Sequence, residues 1–282
     1  MRRGGYAARR EPRPTKTLAL PKASTYQNPR PAKTLMDPLI SLIVPVWGDD
    51  ELAVNLVNSL PVIPELAEWI VVAVHPAKSL RDLDRRGAIR LVSCNQPSRG
   101  RQMNAGASVA RGKLLCFHHC DTELRPEHLS ALEQVARDNA IVGGAFHRRF
   151  RAQRTLWREP LVRWLSKQGG PLFGDQSIFV DASIFRKLGG FADIPLMEDL
   201  EFSRRLRWTG RIVILDPPLW SPPRRLGRLG TWWRTFRNAG FIGLFYIGVD
   251  PHTLHSWYYR LPRTHPNSNS NQSQPSENDT HD

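Results

Sequence analysis

The chain contains no stretch of about 18 apolar residues, the length a helix needs to cross a bilayer. Its longest apolar candidate, Phe241 to Val249, is far shorter, so the sequence predicts no membrane-spanning helix. Cysteine is scarce: there are three in 282 residues. An odd number, with Cys116 and Cys120 in one short stretch, excludes a disulfide framework and fits a reducing compartment. The first residues carry Arg2, Arg3, Arg9 and Arg10 but no apolar core, which predicts no secretory signal and makes the cytoplasm the expected location. Two glycine-rich phosphate motifs are also missing. No G-x-G-x-x-G follows the first predicted strand and no G-x-x-x-x-G-K-[ST] occurs, which argues against dinucleotide-binding and P-loop chemistry.

Positive charge is what the chain has in excess. Forty Lys and Arg stand against 26 Asp and Glu, a formal net charge of +14. Such a balance calls for an anionic partner: nucleic acid, anionic lipid or nucleotide phosphates. Residues 1–37 are Pro-rich and basic without apolar periodicity and are expected to be a disordered arm. Residues 263–282 are a polar tail, also expected to be disordered, and one domain is expected between the two. A second basic group includes Arg148, Arg149, Arg151, Arg154, Arg158, Arg163, Lys167, Arg224, Arg225, Arg228, Arg234 and Arg237.

The middle of the chain alternates strand and helix. Leu39 to Val46 reads as a buried strand, with Asp49 or Asp50 able to cap a helix running to about Leu60. Trp69 to His75 and Ile89 to Cys94 are the next strands, each preceded by a helical segment. Ser98 to Ala110 reads as a loop entering a helix whose Ala105, Gly106 and Ala107 would let it lie close to a sheet. Leu114 to Phe117 is a short apolar strand, and Pro126 suits the first position of the helix that follows. Ile141 to Phe150, Asp175 to Val180 and Arg211 to Leu215 are strand-like; Leu156 to Gln168 and Glu198 to Thr209 are helical. Thr231 to Gly248 mixes aromatic residues with Arg234 and Arg237, an amphipathic helix able to lie on a membrane surface or simply to pack. The order implies an α/β fold, a mostly parallel sheet with helices on both faces.

In such sheets ligands gather at the carboxyl ends of the strands. Asp121, just past the fourth strand, is therefore placed to hold a phosphate-bound metal, unless it only caps a turn. His119 falls on the same side as Asp121 if the strand alternation continues, and an imidazole would favour Mn over Mg. Cys116, His118 and Cys120 would face the other way. Residues two apart on a strand splay by nearly 7 Å, so buried thiols are expected there rather than a zinc site. Arg99, Arg101 and Asn104 can offer donors to a diphosphate or base, or remain solvated. Glu198 and Asp199 open a helix, where acids also satisfy the helix dipole.

Several of these stretches, in order, resemble glycosyltransferase family 2, whose members have the GT-A fold. Ser41-Leu-Ile-Val-Pro-Val46 looks like that family's opening strand, and Arg99-Gly-Arg-Gln-Met-Asn-Ala-Gly106 like its donor-side helix entry. His119-Cys-Asp-Thr122 occupies the place of its D-x-D metal motif, Pro195-Leu-Met-Glu-Asp199 that of its acidic catalytic segment, and Gly174-Asp-Gln176 and Gly189-Gly-Phe191 also fit. The resemblance runs from about Leu39 to Tyr259. It is closest to a branch described as radical-SAM/selenodomain-associated or arsenosugar-biosynthesis transferases, whose metal motif begins with His.

The resemblance implies an inverting, non-processive, metal-assisted transfer of a sugar from a nucleotide-diphosphate donor to an unknown acceptor hydroxyl. Asp199 would be the general base and Glu198 its orienting neighbour. His119 and Asp121 would hold Mn or Mg. Pro45, Val46, Trp47, Asp49, Arg99, Arg101 and Asn104 would meet the donor, and Gly174, Asp175 and Gln176 the acceptor. Two departures stand out. Val72-Ala-Val-His-Pro76 lacks the acid that often reads the nucleobase, leaving Asp49 and Asp50 as nearby acids, and Arg204-Arg-Leu-Arg-Trp208 lacks the Gln of the processive enzymes. The alternatives are a sugar nucleotidyltransferase, for which no Gly-rich phosphate loop follows the first strand, and an inactive GT-A scaffold. Nucleic-acid binding is disfavoured, because the basic residues are not interleaved with aromatics on recognisable strands.

Overall fold

In a computed structural model the described residues are 37–60, 63–150, 170–221 and 228–260. The expected basic arm up to residue 36, the expected helix from Leu156 to Gln168 and the polar tail lie outside them, as do Arg151, Arg154, Arg158, Arg163, Lys167, Arg224 and Arg225. The chain divides into two compact units, residues 1–224 and 225–282.

The first unit is built on a seven-stranded sheet: β1 (Ile40–Val46), β2 (Ala67–Ala73), β3 (Arg90–Ser93), β4 (Leu114–Phe117), β5 (Ile141–Phe150), β6 (Phe179–Asp181) and β7 (Arg211–Ser221), in the order β3-β2-β1-β4-β6-β5-β7. β1 runs parallel to β2 and β4, β2 parallel to β3, and β5 parallel to β7. Only β6 opposes its neighbours, pairing antiparallel with β4 and β5. The α/β GT-A architecture expected from the sequence is the one observed.

Side-chain alternation divides the core between the two faces of the sheet. Ile40, Leu42, Val44 and Val46 of β1 pack with α1 (Asp50–Ser59), α2 (Lys78–Arg85) and α4 (Pro126–Arg137) through Ala53, Leu56, Leu80, Leu129 and Leu132. Ile43, with Ile70 and Val72 of β2 and Leu115 and Phe117 of β4, faces α3 (Arg99–Val109), α5 (Ala182–Lys187) and α6 (Glu198–Leu206) through Met103, Phe185 and Phe202. Gly106 lets α3 settle on the sheet: a Cβ there would stand 2.5 Å from a methyl of Ile43.

Several boundaries differ from expectation. The strand expected over Asp175–Val180 is a 3₁₀ turn at Gly174–Gln176 followed by the short β6. The Gln176 side chain accepts from Phe173 N–H at 2.9 Å, and Ser177 turns left-handed with φ 52°, so extended backbone cannot begin before Phe179. β4 ends at Phe117, so His119 and Asp121 sit on a turn and strand alternation does not govern them. Asp49 precedes α1 without a side-chain cap bond, and Asp50 instead accepts from Ala77 N–H at 2.8 Å, ahead of α2. β7 continues to Ser221 across an irregular register with β5.

The second unit, among the described residues, holds α7 (Arg228–Tyr246) and α8 (Pro251–Arg260). Phe241 meets Tyr258 edge-on at 5.3 Å, and the Arg237 guanidinium lies over the Tyr258 ring at 4.6 Å. Phe236, Tyr246, Ile247, Trp257 and Tyr259 are exposed.

Candidate active site

The polar residues gather where β1 and β4 end and α3 and α6 begin. The Gly174 N–H donates to Asp199 Oδ2 at 2.7 Å, and the Leu200 N–H donates to Asp199 Oδ1 at 2.8 Å. Gly174 has no side chain to intrude. A Cβ at that position would lie 3.3 Å from His119 Nε2, 3.4 Å from Asp199 Oδ2 and 3.8 Å from an Arg99 guanidinium nitrogen. Three side chains from β4's trailing turn, α3 and α6 thus surround one glycine.

Electrostatics extends the cluster. Glu198 is only 6% exposed, and its carboxyl is pushed up to about 7, first by burial and then by the negative charge of Asp199, with Arg99 opposing from 3.9 Å. The Cys120 thiol is pushed up to about 11, mainly by burial, with Asp49 and Asp121 raising it further and Arg99 lowering it. Asp49, Asp121 and Arg99 are therefore all close enough to Cys120 for their charges to be felt. Asp121 is exposed, and its Oδ1 accepts from the Thr122 hydroxyl at 3.1 Å.

Other expected site residues are engaged elsewhere. Arg101 is held by both oxygens of Asp193 at 2.7 Å each, and the buried Asn104 amide exchanges bonds of 2.8 and 2.9 Å with the Phe191 backbone. Asp175 is ion-paired with Arg148, and Gln176 is buried, closing its own turn. Pro45 and Val46 form the end of β1, followed by Trp47, which is 67% exposed.

At this rim Gln102 escaped the sequence reading, and His118 was read only as facing away from His119 and Asp121. Gln102, buried on α3, donates to the carbonyls of Val46 and Val72 at 2.9 Å each and so fixes the ends of β1 and β2. His118, fully buried, bridges Ser177 and the Thr122 carbonyl. A polar side chain amid the small residues of α3 was the available signal for Gln102; the bridging role of His118 had none, because Ser177 is 59 residues away.

No group of three or more His, Cys, Asp or Glu able to hold an ion occurs among the described residues. With only His119 and Asp121 as candidates, a divalent ion there would have to take its remaining ligands from phosphate and water, the usual habit of Mg-type ions, and would not be caged by protein. Cavities of about 170 and 440 Å³ open at the opposite end of the sheet, around Lys113, Arg111 and Asp181.

Residues 73–187 match the family described as Glycosyl transferase family 2. Comparison with curated protein sequences gives no match. Among solved structures, the chain is similar to a mannosyltransferase, PcManGT from Pyrobaculum calidifontis in complex with GDP-Man and Mn2+, at 16% identity and TM-score 0.55, covering 79% of this chain and 70% of that one. It is also similar to S. aureus TarS 1-349 in complex with UDP-GlcNAc, at 17% identity and TM-score 0.52, over 68% of this chain. The chain spans 60% of the length of that TarS structure.

Proposed function

We propose that the protein transfers a sugar from a nucleoside-diphosphate donor to an acceptor hydroxyl, with inversion and one sugar per encounter. The observation that carries this reading is the convergence of Asp199, His119 and Arg99 on Gly174. It brings a carboxylate, a metal-competent imidazole and a cation from distant parts of the chain to one point. The family match over residues 73–187 supports it, and the bound GDP-Man and UDP-GlcNAc of the two similar structures suggest the donor class.

In this reading Asp199 takes the acceptor hydroxyl proton as the oxygen attacks the anomeric carbon and the bond to the diphosphate breaks. Each Asp199 oxygen already accepts one backbone amide, which fixes the carboxylate and leaves a lone pair for the proton. Glu198 stays buried behind it and holds Arg99 near the diphosphate. His119 and Asp121 would hold a divalent ion, Mn or Mg, which when bound neutralises charge on the leaving group. Trp47 and Asp49 offer a face and a carboxylate to the nucleoside, while Gly174 and Asp175 line the acceptor side.

The donor is tested by thermal stabilisation with UDP, GDP, CDP and dTDP, each with and without Mn. A shift with one diphosphate that needs the metal, and that Asp121→Ala abolishes, is expected; no metal-dependent shift with any of them counts against the reading. Stabilisation without turnover of the matching sugar would instead mark an inactive scaffold.

No described helix is long and apolar enough to cross a membrane. We infer a cytoplasmic protein whose α7–α8 unit rests on an anionic membrane surface. Exposed Phe236, Tyr246, Ile247, Trp257 and Tyr259 would enter the headgroup layer beside Arg237 and Arg260. Co-sedimentation with vesicles containing phosphatidylglycerol, but not with pure phosphatidylcholine, is the expected result.

A further inference from the structure

The turn carrying His119 and Asp121 and the segment carrying Gly174 come from separate parts of the chain; the Phe117 N–H joins them through the Ile178 carbonyl at 2.8 Å, and beyond that bond one buried side chain links them. His118 is fully buried. Its Nε2 lies 3.0 Å from the Thr122 carbonyl and its Nδ1 lies 2.6 Å from Ser177 Oγ. A carbonyl can only accept, so Nε2 carries the proton. With that proton committed to the Thr122 carbonyl, Nδ1 accepts from the Ser177 hydroxyl.

Both partners hold critical positions. Thr122 closes the metal-motif turn, its N–H donating to the His119 carbonyl at 3.2 Å. Ser177 sits left-handed at φ 52°, a conformation unfavourable for a residue with a Cβ, and its N–H donates to the Gly174 carbonyl at 3.3 Å. Gly174 in turn holds Asp199. The path runs Thr122, His118, Ser177, Gly174, Asp199, without a gap longer than a hydrogen bond.

We propose that His118 is a positioning residue: by binding Thr122 and Ser177 together it sets the spacing between the His119–Asp121 turn and the Asp199 carboxylate. The consequence for catalysis rests on the transferase reading; the structural link does not. Loss of the link lets the acceptor side shift against the metal side while leaving the fold and much of the donor contact in place. A misplacement of about 1 Å can cost about a hundredfold in rate, so the effect belongs in kcat rather than in donor KM.

The test uses the full chain with Ser177→Ala, His118→Leu and the double variant, while His118→Gln retains a donor and an acceptor. Two measurements are made: steady-state kinetics, and amide hydrogen exchange at Gly174 and Leu200, the two amides that hold Asp199. Ser177→Ala is expected to speed exchange at both amides and to lower kcat about tenfold with donor KM nearly unchanged. The double variant should be no worse than His118→Leu, and His118→Gln should recover part of the loss. Unchanged exchange at Gly174 and Leu200 in Ser177→Ala overturns the proposal whatever the kinetics. So do additive losses in the double variant, or a fall that merely follows a lowered melting temperature. Faster exchange in a protein that turns over no nucleotide sugar would refute the transferase reading while leaving the link intact.

Discussion

The two ends of the parallel strands use charge in opposite ways. At the amino ends, Glu68 takes Arg111 through bonds of 2.9 and 3.1 Å to one oxygen and accepts Ser41 Oγ and the Arg111 N–H at 2.8 Å on the other. Lys113 is settled between Asn139 and the Ala136 carbonyl at 2.7 Å each, Arg137 pairs with Glu133 at 2.8 Å, and Asp181 caps α5. At the carboxyl ends, Asp49, Asp121 and Arg99 all act on Cys120, and Glu198 feels both Asp199 and Arg99, while Arg101 is drawn off to Asp193. Both cavities described above belong to the first group, and the proposed chemistry to the second. In the proposed reading, unbalanced charge rather than empty volume marks the substrate site, because satisfied ion pairs have little left to offer a ligand.

Substitutions at each end sharpen this contrast. The largest expected effect is at Asp199: changing it to Asn should lower the transfer rate about a hundred- to ten-thousandfold while donor binding, measured by thermal shift, persists. Next is Gly174→Ala. Its Cβ would press within 3.4 Å of both His119 and Asp199, and a rate about tenfold lower is expected with little change in melting temperature.

A smaller effect is expected in stability against pH. Glu198 titrates near 7 in the folded state against a usual 4.5, so between these values the folded chain keeps a proton that the unfolded chain has released. Its contribution is intact below pH 4.5 and is lost as pH rises towards 7. Glu198→Gln should remove that decline, so denaturant midpoints should show the variant gaining on the parent most above pH 7. The smallest effect is at the amino ends: Arg111→Ala should leave the transfer rate unchanged and cost about 1 kcal/mol of stability in urea unfolding. A large rate loss from Arg111→Ala would reverse the comparison.

How much of this the sequence disclosed depends on the range of the interactions. β4 follows its apolar run residue for residue, because a buried strand is written in consecutive side chains, and β5 keeps the expected bounds Ile141–Phe150. The acids at 121, 198 and 199 were legible as candidates, since local motif order carried them. Arg101 and Asn104 were equally conspicuous on the page, yet their partners lie 92 and 87 residues away, where no local pattern could show Asp193 or Phe191 claiming them. The 3₁₀ turn at Gly174 was hidden for a different reason. Its strand-like composition is overruled by one side-chain bond from Gln176 and one left-handed serine.

The reversed direction of β6 has a consequence for how such a protein could change its preferences. Every other strand reaches the rim with its trailing residues, so altering what it presents there also alters the loop that must return to the next helix. β6 alone arrives there with its leading residues, immediately after the 170–178 segment. Residues could be added or removed ahead of Leu172 without disturbing any parallel register or the Gly174–Ser177 contacts, giving this part of the rim a length it can vary while the ends of the parallel strands stay as they are.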